Sequence, residues 1–343
     1  MLNKANVKKF VCLLILLIMA IPLVSCKSST NLFSEEPNYN NVYDHTFWVD
    51  GQSLFFDEVG LFYSKVYMSI NGKKQTIVSD DKIREKSGSG FLGEYQAYGN
   101  WVYFWYNKDS GEREFYRYAV KDETVEKLLT VGYQVEHWAI IDDVLVYSSY
   151  FSTDDILRNR LSLHSYNLIQ DLSVEIAYPI VEFGVVGKEV RYISSESNKN
   201  QLYRYDIVTN EKSYLCEFEG TPKEGWFLYN FTEDSVIFVD DLVKVINVDT
   251  GICMSFPFGE TVDHISCFGQ YAFIATKNSV CRMDLSNGKT ENLYSGLEDC
   301  RSVFAIDEEK VVCMDYTRNW LQQVKSKIYV FSIHEEPTVI LES

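Results

Sequence analysis

One phrase recurs along this chain: an apolar run, a tight turn of glycine or acid, then a second apolar run. It occupies residues 49–55, 97–103, 141–146, 186–192, 231–237, 268–273 and 306–312. The turns include Gly99-Asn100, Asp142-Asp143, Gly187-Lys188 and Gly269-Gln270. Glycine and acids between β-rich runs are hairpin chemistry, because they tolerate the positive φ that a two-residue turn demands. The spacing averages about 43 residues, a period that marks stacked repeats or the blades of a ring.

A second hairpin follows the first in each unit. Examples are Leu202-Tyr203-Arg204-Tyr205-Asp206-Ile207 with its turn at Thr209-Asn210, and Val280-Cys281-Arg282-Met283-Asp284-Leu285 with its turn at Asn287-Gly288. Here apolar and polar residues alternate, as in strands with one wetter face. The first hairpin is apolar on both faces, as in Trp101-Val102-Tyr103-Phe104-Trp105-Tyr106. Strands like these must be covered on both sides by neighbouring sheets. A stack of such sheets has to be capped or closed on itself. No capping segment is evident. The expected fold is therefore all-β, a seven-bladed β-propeller of four-stranded antiparallel blades, with six or eight blades also compatible. Helical signals are confined to residues 81–86 and 154–159.

The Tyr116-Arg117-Tyr118 and Tyr203-Arg204-Tyr205-Asp206 rhythm resembles the blades of low-density-lipoprotein-receptor-type (YWTD-like) propellers and of TolB-like propellers. A full Tyr-Trp-Thr-Asp is absent from every repeat. The resemblance implies binding or scaffolding rather than a fixed reaction.

The N-terminus reads as an address. Lys4, Lys8 and Lys9 precede an apolar stretch from Phe10 to Val24, about 15 residues long and short for a membrane span. It ends in Leu23-Val24-Ser25-Cys26, which resembles the lipobox of bacterial lipoproteins. That resemblance implies cleavage before Cys26 and a lipid on its sulfur. The expected organisation is a signal peptide over residues 1–25, the lipidated cysteine with a flexible spacer over 26–41, and a propeller over 42–343. The expected location is the bacterial cell envelope, with the body extracytoplasmic and membrane-anchored through Cys26.

The formal charge is −17, and loss of the three leader lysines takes the mature chain near −20. Such a surface disfavours nucleic acid and suits cationic partners. The six body cysteines, Cys216, Cys253, Cys267, Cys281, Cys300 and Cys313, have no C-x-x-C spacing and are expected as small buried hydrophobes.

Motifs for chemistry are sparse. Gly88-Ser89-Gly90-Phe91-Leu92-Gly93 matches G-x-G-x-x-G, but a strand follows where a phosphate site needs a helix. It is expected as an inter-blade loop. Residues 107–112 resemble a calcium loop only faintly and read as a turn. His45, His137, His164, His264 and His334 lack metal spacing, so no metal and no cofactor is expected. Acid pairs recur at Asp80-Asp81, Asp142-Asp143, Asp154-Asp155 and Asp240-Asp241; Asp142-Asp143 falls in a hairpin turn, and the pairs are read as structural rather than catalytic.

The repeat is interrupted twice, by long loops over 150–160 and 317–325. Both bring aromatics and arginine into an acidic protein, and these residue types anchor interfaces or stack on sugars. Tyr150, Phe151, Arg158, Arg318 and Trp320 are the candidate ligand-binding residues, with Trp226 at the channel mouth. The expected function is recognition of a protein, peptide or glycan through one propeller face. The alternative is a glycoside hydrolase or lyase with carboxylates at the channel. A third class is a structural subunit of an envelope complex.

Overall fold

The computed structural model describes residues 32–33, 47–50, 53–59, 64–70, 73–132, 134–150, 152, 160–196, 199–221, 229–318, 324–333 and 335–342. Two-residue turns set the pattern. Tyr98 pairs with Trp101, Ile141 with Val144, Val186 with Glu189 and Phe268 with Tyr271, leaving two residues between each pair. The first turn residue has positive φ, 60° at Gly99 and 51° at Asp142. Asp142 lacks glycine's freedom but is held. Its N–H donates to the Tyr98 hydroxyl at 2.8 Å, and its carboxylate meets Lys188 Nζ at 2.8 Å.

The second hairpins close by a different device. Asn167, Asp206, Asn247 and Asp284 each accept backbone N–H bonds from the turn that follows. Four residues on, Asp171, Asn210, Gly251 and Gly288 take positive φ. An Asx side chain that nucleates a turn, ended by a left-handed residue, is local chemistry repeated in these four units.

These hairpins assemble into seven four-stranded antiparallel sheets among the described residues. They cover residues 47–79, 90–131, 135–180, 182–218, 230–256, 264–295 and 300–342. Within each sheet the strands are neighbours in chain order, and no sheet borrows a strand from another. The innermost strands, numbered in chain order, are β1 (Phe47–Asp50), β5 (Gly90–Tyr98), β9 (Val135–Ile141), β13 (Glu182–Val186), β17 (Asn230–Phe231), β21 (His264–Phe268) and β25 (Cys300–Ala305). Strand β13 is buried throughout, whereas the outermost strand β12 (Leu172–Ile180) is largely exposed. This is the architecture of a β-propeller.

A buried apolar cluster fills each junction between sheets. Val66 and Ile77 of the first sheet pack with Phe104 and Tyr116 of the second. Trp105 of the second packs edge-on against Trp138 of the third, with ring centroids 6.4 Å apart. Tyr67 of the first sheet shares a cluster with Phe304, Val312, Met314 and Ile328 of the last. Phe33, inside the stretch expected as a spacer, is also buried, and its N–H donates to Gly99 O at 2.8 Å.

Polar stitches run between neighbouring innermost strands. Trp138 Nε1 donates to Glu94 at 3.0 Å, Ile140 N to Gln96 Oε1 at 2.9 Å, and Asp142 N to the Tyr98 hydroxyl at 2.8 Å. The same device joins the sixth and seventh sheets, where Val303 N donates to His264 Nδ1 at 3.4 Å and Ala305 N to Ser266 Oγ at 3.0 Å. Innermost strands of adjacent sheets do not ladder with each other, so side chains two residues apart supply the missing acceptors.

Two expectations need correction. The glycines at 90 and 93 lie within strand β5, not in a loop. A Cβ on Gly90 would stand 2.3 Å from Asn107 O, and one on Gly93 2.7 Å from Asn107 Nδ2. Close approach of two strands, not phosphate binding, explains them. Helix α1 (Asp80–Ser87) covers the helical signal at residues 81–86, and Asp80-Asp81 opens it. Cys253 is exposed and Cys281 partly so, while Cys216, Cys267, Cys300 and Cys313 are buried. Cys253 sits on an outermost strand with no sheet beyond it.

Candidate functional site

At the rim where the third and fourth sheets meet, charged and phenolic groups gather near the starts of the innermost strands. Strand β9 begins at Val135, opposite Ser149 at the end of β10 (Val144–Ser149). The Tyr150 N–H donates to Gln134 O at 3.0 Å and closes that end of the hairpin. Glu136 and His137 are therefore held beside the root of the 151–159 loop. Strand β13 begins at Glu182, on the same end of the neighbouring sheet.

Glu182 has no solvent exposure, and its Oε2 lies 3.7 Å from His137 Nε2. Its other oxygen accepts the Phe183 N–H at 3.0 Å. His137 is tied through its backbone N–H to Ser148 Oγ at 3.3 Å. Tyr150 is half-buried and packs on the cluster containing Ile180, Phe183 and Tyr192. Its hydroxyl pKa is pushed up to about 12, first by burial and then by the negative charges of Glu136 and Glu182. Burial, followed by Glu182, also raises the Tyr229 hydroxyl. Asn200 Nδ2 donates to that hydroxyl at 3.4 Å and to Gly220 O at 2.5 Å.

A phenol held protonated near two carboxylates is a poor base or nucleophile. It is a good hydrogen-bond donor with an aromatic face. This rim brings together negative potential, an imidazole and phenolic hydroxyls. Among the described residues, no group of three or more His, Cys, Asp or Glu is arranged to hold a metal ion.

Of the sequence candidates, Tyr150 is at this rim. Arg318 is the last residue of β26 (Lys310–Arg318), where its backbone pairs with Val324. Cys26, Phe151, Arg158, Trp226 and Trp320 lie outside the described residues. The sequence reading missed Glu136, His137, Glu182 and Tyr229. The available signal was polarity at the start of innermost strands that are otherwise apolar.

Fold and rim together define a β-propeller with an acidic, aromatic edge. No family model matches the chain, and no curated protein matches it. Solved structures do. A prolyl endopeptidase aligns with a TM-score of 0.62 at 11% identity, over 90% of this chain and 50% of that one. The β-propeller domain of the Trilobed protease from Pyrococcus furiosus gives 0.60 at 8% identity, over 90% and 97%. An uncharacterized protein from Listeria monocytogenes EGD-e gives 0.53 at 10% identity, over 86% and 92%. The chain spans about half the length of the endopeptidase. At these identities the similarity is one of fold.

Proposed function

We propose that this chain is a membrane-anchored, extracytoplasmic β-propeller that binds a protein, peptide or glycan through the face carrying Tyr150, Phe151, Arg158, Trp226, Arg318 and Trp320. Residues 1–25 are its leader, 26–41 carry the lipid on Cys26 and the spacer, and 42–343 form the ring. The ring has seven blades, a reading supported by the cluster in which Tyr67 packs on the last sheet. The Tyr-Arg-Tyr rhythm at 116–118 and 203–205, followed by Asp206 in the second, supports kinship with YWTD-like or TolB-like propellers.

The observation that carries the binding role is the rim at Tyr150. There the repeat is interrupted, and Glu136, His137 and Glu182 collect at the base of the interruption. Arg318 also ends a second strand, so by topology its loop leaves from the same rim. The charge of −17 favours cationic segments of a partner.

The test uses the full chain in detergent, immobilised, against a peptide array graded from basic to acidic and against a glycan array. Retention of basic peptides or of a glycan, weakened about tenfold or more by Tyr150→Ala or Trp320→Ala, is expected for anchor residues. Indifference of every retained ligand to both substitutions refutes the face. Turnover of a glycan would instead establish the hydrolase or lyase alternative. Membrane attachment is tested separately: Cys26→Ala should move the chain to the aqueous phase of a detergent partition, and unchanged partition refutes the lipid anchor.

A further inference from the structure

Two of the body cysteines are neighbours in space. Cys300 opens β25, and Cys313 lies within β26, the adjacent strand. The register pairs Cys300 with Asp315 and Val303 with Cys313, with a bulge between Cys300 and Ser302. A bulge opposes two residues to one, so Cys300 falls on the same face as Cys313, diagonal to it. Both side chains are fully enclosed in one cluster with Phe273, Leu297 and Phe331. The Cys300 thiol is among the groups that raise the pKa of Cys313. The other four cysteines belong to the fourth, fifth and sixth sheets, and none shares a hairpin with a second cysteine.

We propose that Cys300 and Cys313 are joined by a disulfide when the protein is made under oxidising conditions. Diagonal positions across an antiparallel pair have Cα atoms about 7–8 Å apart, against the roughly 4.4–6.8 Å a disulfide spans, so closing the bond takes a small backbone shift at the bulge, where the ladder is already broken. The oxidant is a second disulfide, either oxidised glutathione or a protein dithiol oxidant. One cysteine thiolate attacks it, forming a mixed disulfide and releasing one thiol. The other cysteine then attacks the mixed disulfide and releases the second thiol. Two protons and two electrons leave with the two released thiols, and one S–S bond is gained.

Burial pushes the Cys313 thiol well above its ordinary pKa, so little thiolate exists in the folded chain. The bond therefore forms before the last sheet closes over the pair. It ties the innermost strand of that sheet to its neighbour, on the face packed against the sixth sheet. Its presence in the native protein rests on the extracytoplasmic placement proposed above; the choice of partners does not.

The full chain is denatured, reduced, refolded in detergent with a reduced and oxidised glutathione mixture, quenched by alkylation and mapped by peptide mass. A Cys300–Cys313 linked peptide as the main product is expected, with Cys216, Cys253, Cys267 and Cys281 alkylated. Reduced, already folded protein should acquire the link at least about tenfold more slowly. Alkylation of both Cys300 and Cys313 in most molecules overturns the proposal, as does either one paired elsewhere. The Cys300→Ala, Cys313→Ala double variant should lose no thiols to the oxidant, and loss of two overturns the assignment. The same map on chain alkylated directly at cell lysis needs no refolding. Free thiols there, with the link present after refolding, would overturn the placement outside the cytoplasm rather than the pairing.

Discussion

Replacing Gln96 by leucine tests the stitch between the second and third sheets. Gln96 is 3% exposed, and its Oε1 accepts the N–H of Ile140, itself fully buried, at 2.9 Å. Leucine is close in volume but offers no acceptor. The Ile140 N–H would then face an apolar interior without a partner, which costs about 1–3 kcal/mol. The flanking stitches at Trp138 and Asp142 remain, so the loss should be local. Amide exchange reads it directly. If Ile140 opens locally, that cost becomes about 5- to 150-fold faster exchange at this amide. The denaturation midpoint should fall as well, by about 2–4 °C per kcal/mol in a thermal scan. Ser266→Ala is the parallel experiment at the sixth and seventh sheets, where the reporter is the Ala305 amide. Unchanged exchange at Ile140 with an unchanged midpoint would show that the bond contributes nothing and refute the argument.

Two further outcomes follow from burial. A Cβ added at Gly184 would lie 2.3 Å from the Phe231 ring, which is fully buried on the next sheet, so Gly184→Ala should cost about 1–3 kcal/mol by urea denaturation. Adding Phe231→Leu should relieve part of it, and strictly additive costs would contradict the clash. His164 is buried and stacked on Tyr147, and desolvation lowers its pKa below the usual 6.5 despite the opposing pull of Glu175. The unfolded chain therefore takes up this proton first. Stability should be intact above pH 6.5 and decline as pH falls below it toward the folded-state pKa. His164→Phe should flatten that part of the stability curve between pH 7 and 5, and an unaltered slope would refute the assignment.

The hairpins were legible because their chemistry is local. Gly99, Asp142 and Gly187 announce positive φ, and Asp206 to Asn210 carry both halves of an Asx-nucleated turn in five residues. The stitches were not legible, because Gln96 and Ile140 are partners from different sheets and no local period relates them. Their trace is a polar residue at alternate positions of a strand that ought to be apolar, as at Glu94 and Gln96 or His264 and Ser266. The G-x-G-x-x-G match misled by its letters, since glycine also serves where two strands approach too closely for a side chain. Tyr150 was singled out because it begins an interruption of the repeat. Glu182 was not, because a carboxylate at a strand start looks like turn chemistry until the neighbouring sheet encloses it.

Every sheet here is built from one uninterrupted stretch of chain, and none waits for a strand from the far terminus. The order of synthesis can therefore be the order of assembly. Each sheet is complete when its last strand has emerged, and each finds its partner already waiting on the N-terminal side. Pairing is between neighbours in sequence, a topology that favours rapid folding and short exposure of strand edges. Among the described residues, the cluster of Tyr67 with Phe304, Val312, Met314 and Ile328 joins the first sheet to the last. A nascent chain stalled before residue 300 would be an open arc, with the first sheet's apolar face uncovered and adhesive. Growth of such a chain is thus a race between elongation and the capture of that face by something else.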